Sequence, residues 1–576
     1  MIPNEAIRDN LFPGLGAFGE RKLEKELLLF ADARKTHAAV GNLSEIDAYL
    51  DYAEQCGSGF DWVQLLSGYL MNHAPLDAYP DSGIAIDELT NDFLDKAIAK
   101  ARVHGKKVCY MVGDFAPLDS LLFAYPEVRN LQNGLFWTLI HDAVVGILKR
   151  FPDLDEFGVY FFESANLLHY TNFFKCMHYG AGVSEHVMHN HPERMRRQDA
   201  CGYPYLSFGD HLRMLLQAMA RACKACGKGF KLLTHAWFPY QEDLLYDALK
   251  DFPSDLPITL EHNYSTGDFN PHLPAPALIR RLPHMRHTLV FCCGMEYYGL
   301  ALVPCCFPES IQEIIHYAMA ATPNLTRIVV RPVWDGHSLL GTPNEVNLFA
   351  ILKTADFPLA DTESLWDAWI AKQYGLATEA KRAALAAALR RSYDVVKKVF
   401  FEFGIRTNDH SHLPSFAHLE SRLHNYGKAL AIWSPTPENV QNVYDLLVCP
   451  GEKILRKHSE LHQDSLRLID EALALLFSLQ DDLSGDEYAN LVSRYEDMRI
   501  WTQMHRDQYG AYIRLLIHRR TPSEENTLRA KAALEALEAI ASKIRAGEVR
   551  DCYLFSLDHI DDFVMECRKQ FKNLYS

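Results

Sequence analysis

The 576-residue chain contains no run of about 18 uncharged apolar residues, the length a helix needs to cross a hydrocarbon core, so no membrane span is expected. A basic surplus is missing too. Lys and Arg number 58 against 74 Asp and Glu, a formal charge of −16, and no Lys/Arg-rich run interrupts that balance. Such a chain has no general attraction for phosphate backbones or anionic lipid, which argues against nucleic acid as a partner. The first thirty residues lack the basic start and apolar core of a secretory signal. The 13 cysteines are odd in number and often adjacent (Cys292-Cys293, Cys305-Cys306), which makes no disulfide framework. Together these absences point to a reducing cytoplasm. There is no repeat of fixed period and no low-complexity tract.

What is present is a large globular chain, 48% hydrophobic and 11% aromatic, too long for one compact core. As far as about residue 350, short apolar β-prone runs alternate with one-sided helical stretches. The runs are THAAVG (36–41), DWVQLL (61–66), KKVCYMV (106–112), EFGVYFF (156–162), FKLLTHAW (230–237), PITLEHN (257–263), HTLVFCC (287–293) and TRIVVRPVW (326–334). Continuous apolar strands imply a sheet covered on both faces, and this many strands with intervening helices predict a (β/α)8 barrel, with an open doubly wound sheet as the structural alternative. From about Asp361 the β signal fades and long helical patterns run to the end, divided by breakers at Ser434-Pro435-Thr436-Pro437, Ser484-Gly485 and Thr521-Pro522-Ser523. The expected organisation is an arm at 1–30, a barrel at 31–358 and an all-α domain at 359–576. The helical segments 466–479 and 532–544, apolar on more than one face, suggest a homodimer surface.

Barrel chemistry sits where the strands end. Here those ends carry Asp114, Glu163, His235 with Trp237, Glu261 to Asp268, Glu296 with Tyr297, and Arg331, Trp334, Asp335 and His337. Carboxylates mixed with aromatic residues suit a sugar: ring faces stack on Trp and Tyr, hydroxyls bond to acids and histidines. One carboxyl can protonate a glycosidic oxygen while another, ionised, activates water or attacks carbon.

Several short motifs also resemble a known family. Glu163 after the fourth strand, Gly267-Asp268-Phe269-Asn270 after the sixth, and Met295-Glu296-Tyr297-Tyr298-Gly299 after the seventh are similar to the α-glucuronidases of glycoside hydrolase family 67, which remove methylglucuronic acid from xylan. So are Arg331, Gly336-His337-Ser338-Leu339-Leu340 and Asn347-Leu348-Phe349. The likeness covers about residues 140–400, as short motifs in the right order. It implies Glu163 as general acid, Asp268 and Glu296 as the pair that activates water, and inversion at the anomeric carbon. Two departures stand out. The β-containing domain that precedes the barrel in that family is missing or reduced to a short arm. His235 stands where the family places an arginine on the uronate, and one imidazole does not replace a bidentate guanidinium.

The leading expectation is therefore an inverting exo-glycosidase on short oligosaccharides, without cofactor or metal. The substrate-binding set comprises Asp114, His235, Trp237, Glu261, Tyr297, Arg331, Trp334, Asp335 and His337. Three rivals remain: a retaining hexosaminidase-like enzyme, a metal-dependent sugar isomerase or hydrolase, and a non-catalytic carbohydrate-binding barrel. His186, His189 and His191 have ligand-like spacing but read as an exposed loop. Cys223 and Cys226 read as an ordinary helix end. Gly14 to Gly19 matches GxGxxG without the strand that motif needs, and reads as a flexible arm.

Overall fold

The computed structural model describes residues 22–30, 43–114, 119–129, 134–160, 208–234, 239–262, 277–404, 407–408, 410–421 and 437–573. Eight strands close into a parallel barrel in chain order: β1 (Glu24–Phe30), β2 (Trp62–Tyr69), β3 (Lys107–Asp114), β4 (Glu156–Tyr160), β5 (Gly229–Thr234), β6 (Thr259–His262), β7 (Arg286–Cys292) and β8 (Leu325–Arg331). Closure is made by β8 against β1, with Glu24 opposite Arg327 and Leu27 opposite Val330. A parallel ladder needs a crossover between neighbours, and helices supply it. They are α1 (Leu43–Gln55), α2 (Glu88–Val103), α3 (Asp119–Ala124), α4 (Leu135–Arg150), α5 (Phe208–Ala225), α6 (Pro239–Leu249), α7 (Ala277–Arg281), α8 (Pro308–Ala321) and α9 (Glu345–Asp356).

Seven of the expected strands coincide with β2 to β8; the first does not. β1 is EKELLLF, inside the segment read as an arm, while the candidate run at 36–41 lies outside the described residues. Leu, Glu and Lys are good helix formers, and two glutamates break the apolar run, so local propensity argued against a strand. The barrel interior explains the glutamates. Fully buried Lys231 of β5 donates to Glu26 of β1 at 2.6 Å, to Gln64 of β2 at 3.0 Å and to Glu261 of β6 at 2.7 Å. Arg327 of β8 bonds Glu26 and Glu156, each at 2.9 Å. Buried charges persist only when paired and hydrogen-bonded, and strands in this layer present their polar groups to one another.

Beyond the barrel the chain is helical: α10 (Thr362–Tyr374), α11 (Glu379–Phe400), α12 (Phe416–Ser421), α13 (Pro437–Leu447), α14 (Glu452–Phe477), α15 (Gly485–Arg520), α16 (Glu524–Arg545) and α17 (Leu557–Asn573). The breakers act as caps. Ser484 and Glu487 form a reciprocal capping box at the start of α15, and the Ser523 side chain accepts from Asn526 N–H to open α16. Cys223 and Cys226 close α5 as unbonded thiols, ahead of Gly227 in the left-handed conformation. No helix among the described residues is long and apolar enough to cross a membrane.

Candidate active site

The seventh strand delivers Glu296. After Cys292 the chain turns through Gly294 (φ 89°), Gly299 (φ 94°), Leu300 (φ 53°) and Ala301 (φ 54°), four left-handed residues in one short loop. Such a loop needs outside support. Asn344 and Asn347, at the start of α9, provide it: Asn344 accepts from Cys305 N–H at 2.6 Å, and Asn347 donates to the carbonyls of Cys305 at 2.8 Å and Cys293 at 3.2 Å. A side chain at Gly299 would sit 2.2 Å from Val303 Cγ2, so only glycine fits there.

Glu296 is buried, 2% exposed, at the carboxyl end of the barrel. Arg331 ends β8 opposite Cys292, and this register brings its Nη2 within 3.0 Å of Glu296 Oε2. The guanidinium lies 4.8 Å from the Trp334 ring centre, between a carboxylate and an indole. Trp334 belongs to a hairpin, β9 (Val333–Trp334) and β10 (His337–Ser338), whose Asp335-Gly336 turn has φ of 50° and 72°, as a type I′ turn requires. Tyr49 of α1 ties this hairpin down, bonding Ser338 Oγ at 2.7 Å and accepting from Leu339 N–H at 2.9 Å.

The helical region completes the rim. His410 stacks on Tyr297 (5.2 Å between centres, 25° between planes), lies nearly parallel to Trp334 (6.4 Å, 9°), and places Nε2 3.6 Å from Glu296 Oε1. Ser411 is fully buried; its hydroxyl donates to the Glu296 carbonyl at 2.8 Å and accepts from Gly299 N–H at 2.8 Å. Both residues hold positive φ, 47° and 77°. A loop from outside the barrel thus clamps the turn that aims Glu296. His412 and Tyr553 meet the hairpin: the Tyr553 hydroxyl donates to Asp335 Oδ2 at 2.7 Å, with His412 Nε2 3.8 Å from the same oxygen. His412 and Tyr553 hold the Asp335 carboxyl below its usual range, and donating to that carboxylate pushes the Tyr553 phenol up to about 12.

The sequence-predicted residues therefore divide. Glu296, Tyr297, Arg331 and Trp334 meet in one cluster. Asp335 and His337 stand beside it, and Asp335 is engaged with Tyr553 and His412. Burial pushes the His337 imidazole below its ordinary value, and its ring packs 5.3 Å from that of Tyr553. Glu261 corrects an expectation. It is fully buried inside the barrel, bonded to Lys231 and Gln64, because strand alternation turns it inward where a rim position was expected. Asp114 closes β3 opposite Tyr69. Glu163, Asp268, His235, Trp237, the histidines at 186, 189 and 191, and the glycines at 14–19 lie outside the described residues. Sequence reasoning missed His410, Ser411, His412 and Tyr553. The available signal was the polar NDHSH run (408–412) between long helical patterns, read only as a connection.

No family model matches the sequence, and no curated protein matches it. Solved structures do. An enzyme of glycoside hydrolase family 138 targeting pectin rhamnogalacturonan II superposes with a TM-score of 0.60 at 11% identity, over 97% of this chain and 84% of its own. An O-GlcNAc hydrolase of Thermobaculum terrenum (TM-score 0.39, 10% identity, 96% of each chain) and a chitobiase of Flavobacterium johnsoniae (0.38, 11%, 95% of this chain and 78% of its own) superpose too loosely to carry an argument. The first likeness establishes a shared fold, barrel and helical region together.

Proposed function

We propose that the protein is a glycoside hydrolase that cleaves O-glycosidic bonds by acid/base catalysis. The observation that carries this reading is buried Glu296 at the ends of β7 and β8, paired with Arg331 at 3.0 Å beside an aromatic wall of Tyr297, Trp334 and His410. Carboxylate and guanidinium at that distance favour an ionised Glu296, which suits a base or nucleophile and not a proton donor. The wall offers ring faces to the apolar side of a sugar. The shared fold with an enzyme that targets a pectin supports the same reading.

In this proposal Glu163 is the general acid, and Asp268 and Glu296 position one water for a single inverting displacement, as in the α-glucuronidase-like type. Arg331 is engaged by Glu296, so it serves the catalytic carboxylate; a uronate on the substrate would need a further partner. The test is a screen of aryl glycosides and uronides with the product anomer followed by NMR. Glu296→Gln is expected to lower kcat roughly 10²–10⁴-fold on every substrate, and Glu163→Gln to do so only where the leaving group is poor. First-formed product of opposite configuration supports inversion. Retained configuration, with a glycosyl adduct on Glu296, would make that residue a nucleophile. Sugar binding without turnover by the unmodified protein would leave a non-catalytic barrel.

A further inference from the structure

Away from the rim, three elements of the helical region bring a carboxylate and three imidazoles into one buried place. Glu402 follows α11, His458 and His462 lie one turn apart on α14, and His505 lies on α15; none is more than 4% exposed. Donor atoms of Glu402, His462 and His505, one from each, all lie within 4.8 Å of one another.

Hydrogen bonding settles which nitrogens are spoken for. His458 faces two acceptors, Glu402 Oε1 at 2.6 Å and the Arg506 carbonyl at 2.9 Å, so both its nitrogens donate and it holds one side of the carboxylate. His462 Nε2 lies 3.2 Å from Glu402 Oε2, and His505 Nε2 2.8 Å from Thr407 Oγ1. Among the described residues that leaves Nδ1 of His462 and Nδ1 of His505 without a protein partner, although both rings are buried and face each other 5.3 Å apart. Two orphaned imidazole nitrogens beside an anchored carboxylate are costly in a polar cluster that only knits helices together, because a buried polar group without a partner forfeits the hydrogen bond that water would give it.

From this juxtaposition of Glu402, His462 and His505 we infer a structural binding site for a divalent transition-metal ion, of the zinc class. Two imidazoles and a carboxylate are a ligand set for such ions, with bonds of about 2.0–2.2 Å. Bonds of that length at tetrahedral angles place neighbouring ligand atoms about 3.3–3.6 Å apart, a spacing that small side-chain rotations reach from donor atoms already within 4.8 Å of one another. His458 is then the outer partner that orients the ligating carboxylate. The site bears on the rim, because Glu402 and Thr407 lead directly to His410 and Ser411. An ion tying Glu402 to α14 and α15 would lock the root of the loop that clamps Glu296.

The experiment uses the full chain, loaded with zinc, dialysed and analysed for metal by mass spectrometry. One zinc per chain is expected, with a melting temperature that falls on chelation and returns with zinc. Cobalt in its place should give visible d–d bands, which His462→Gln and His505→Gln each abolish. A variant with His186, His189 and His191 all changed to Ala should keep both metal and bands. No retained zinc, with a melting temperature indifferent to zinc and chelator, would overturn the proposal without relying on any variant's folding. So would cobalt bands that survive His462→Gln, or that vanish with the three loop histidines.

Discussion

At the scale of single residues, position in a strand decides what a charged side chain does. Glu296 and Arg331 were legible because each follows a long apolar run and so stands at a barrel end. Glu261 closes a similar run but sits one step earlier, where alternation turns it inward to Lys231. Its neighbour His262 points the other way, into a chain in which Thr234 Oγ1 meets His262 Nδ1 at 2.9 Å, His262 Nε2 meets His287 Nδ1 at 2.9 Å, and His287 Nε2 donates to the Leu282 carbonyl at 2.9 Å. Burial inside this chain favours the neutral form of both rings. Burial, with each ring near another histidine, pushes His262 well below its ordinary value and His287 down to about 4. In the unfolded chain both return to about 6.5. Between pH 6.5 and 4 the unfolded chain therefore binds protons that the folded chain refuses, and stability falls as the pH drops through that window. Urea denaturation at pH 7.5 and pH 5 should show a loss from this pair on the order of 4 kcal/mol, about 2 from each ring, reduced in His287→Gln. Equal stability at the two pH values would contradict the buried neutral pair.

At the scale of elements, the sequence revealed strands where apolar residues ran unbroken and helices where they recurred on one side. It hid whatever depended on distant partners. β1 was missed because its glutamates make sense only beside Lys231 and Arg327, some 200 and 300 residues away. The loop holding His410 and Ser411 was missed for the same reason: nothing local says that a connection between helices reaches β7. Its contribution can be measured. Ser411→Ala leaves the Glu296 carbonyl and Gly299 N–H without their buried partner, a loss of about 1–3 kcal/mol in stability. If the proposed catalytic role of Glu296 holds, kcat should fall further than KM changes, since the substitution loosens the turn that aims the carboxylate and leaves the aromatic wall in place. Thermal melts and steady-state kinetics on an aryl glycoside test this; an unchanged midpoint with unchanged kcat would mean the loop rests on the turn without supporting it.

At the scale of the whole molecule, the boundary near residue 360 separates composition but not packing. The Trp366 indole of α10 donates to Glu309 of α8 at 2.9 Å, Cys306 N–H donates to Ser392 of α11 at 3.0 Å, and Arg494 of α15 donates to the carbonyls of Ala301 and Leu302 in the β7 loop. The buried apolar residues form one continuous cluster from Leu23 to Phe571. In the apolar segments that suggested a dimer surface, Ile469, Ala472, Leu473 and Leu476 of α14 and Leu534, Leu537, Ala541 and Ile544 of α16 are buried in this cluster, while Phe477 of α14 is 52% exposed. A barrel deprived of the helical region would bare the flanks of α8 and α9 and lose Ser411 from the Glu296 turn, so neither half presents a finished surface to water. Chains with separate cores unfold in separate steps, whereas a shared core couples them. Scanning calorimetry of the full chain should therefore give one transition, with the loss of the Glu296-side tertiary signal, read from near-ultraviolet dichroism of Trp334 and its aromatic neighbours, coinciding with the loss of total helix content. Two resolved transitions, the first removing helix while the barrel signal persists, would show instead that the helical region is an independent unit resting on the rim.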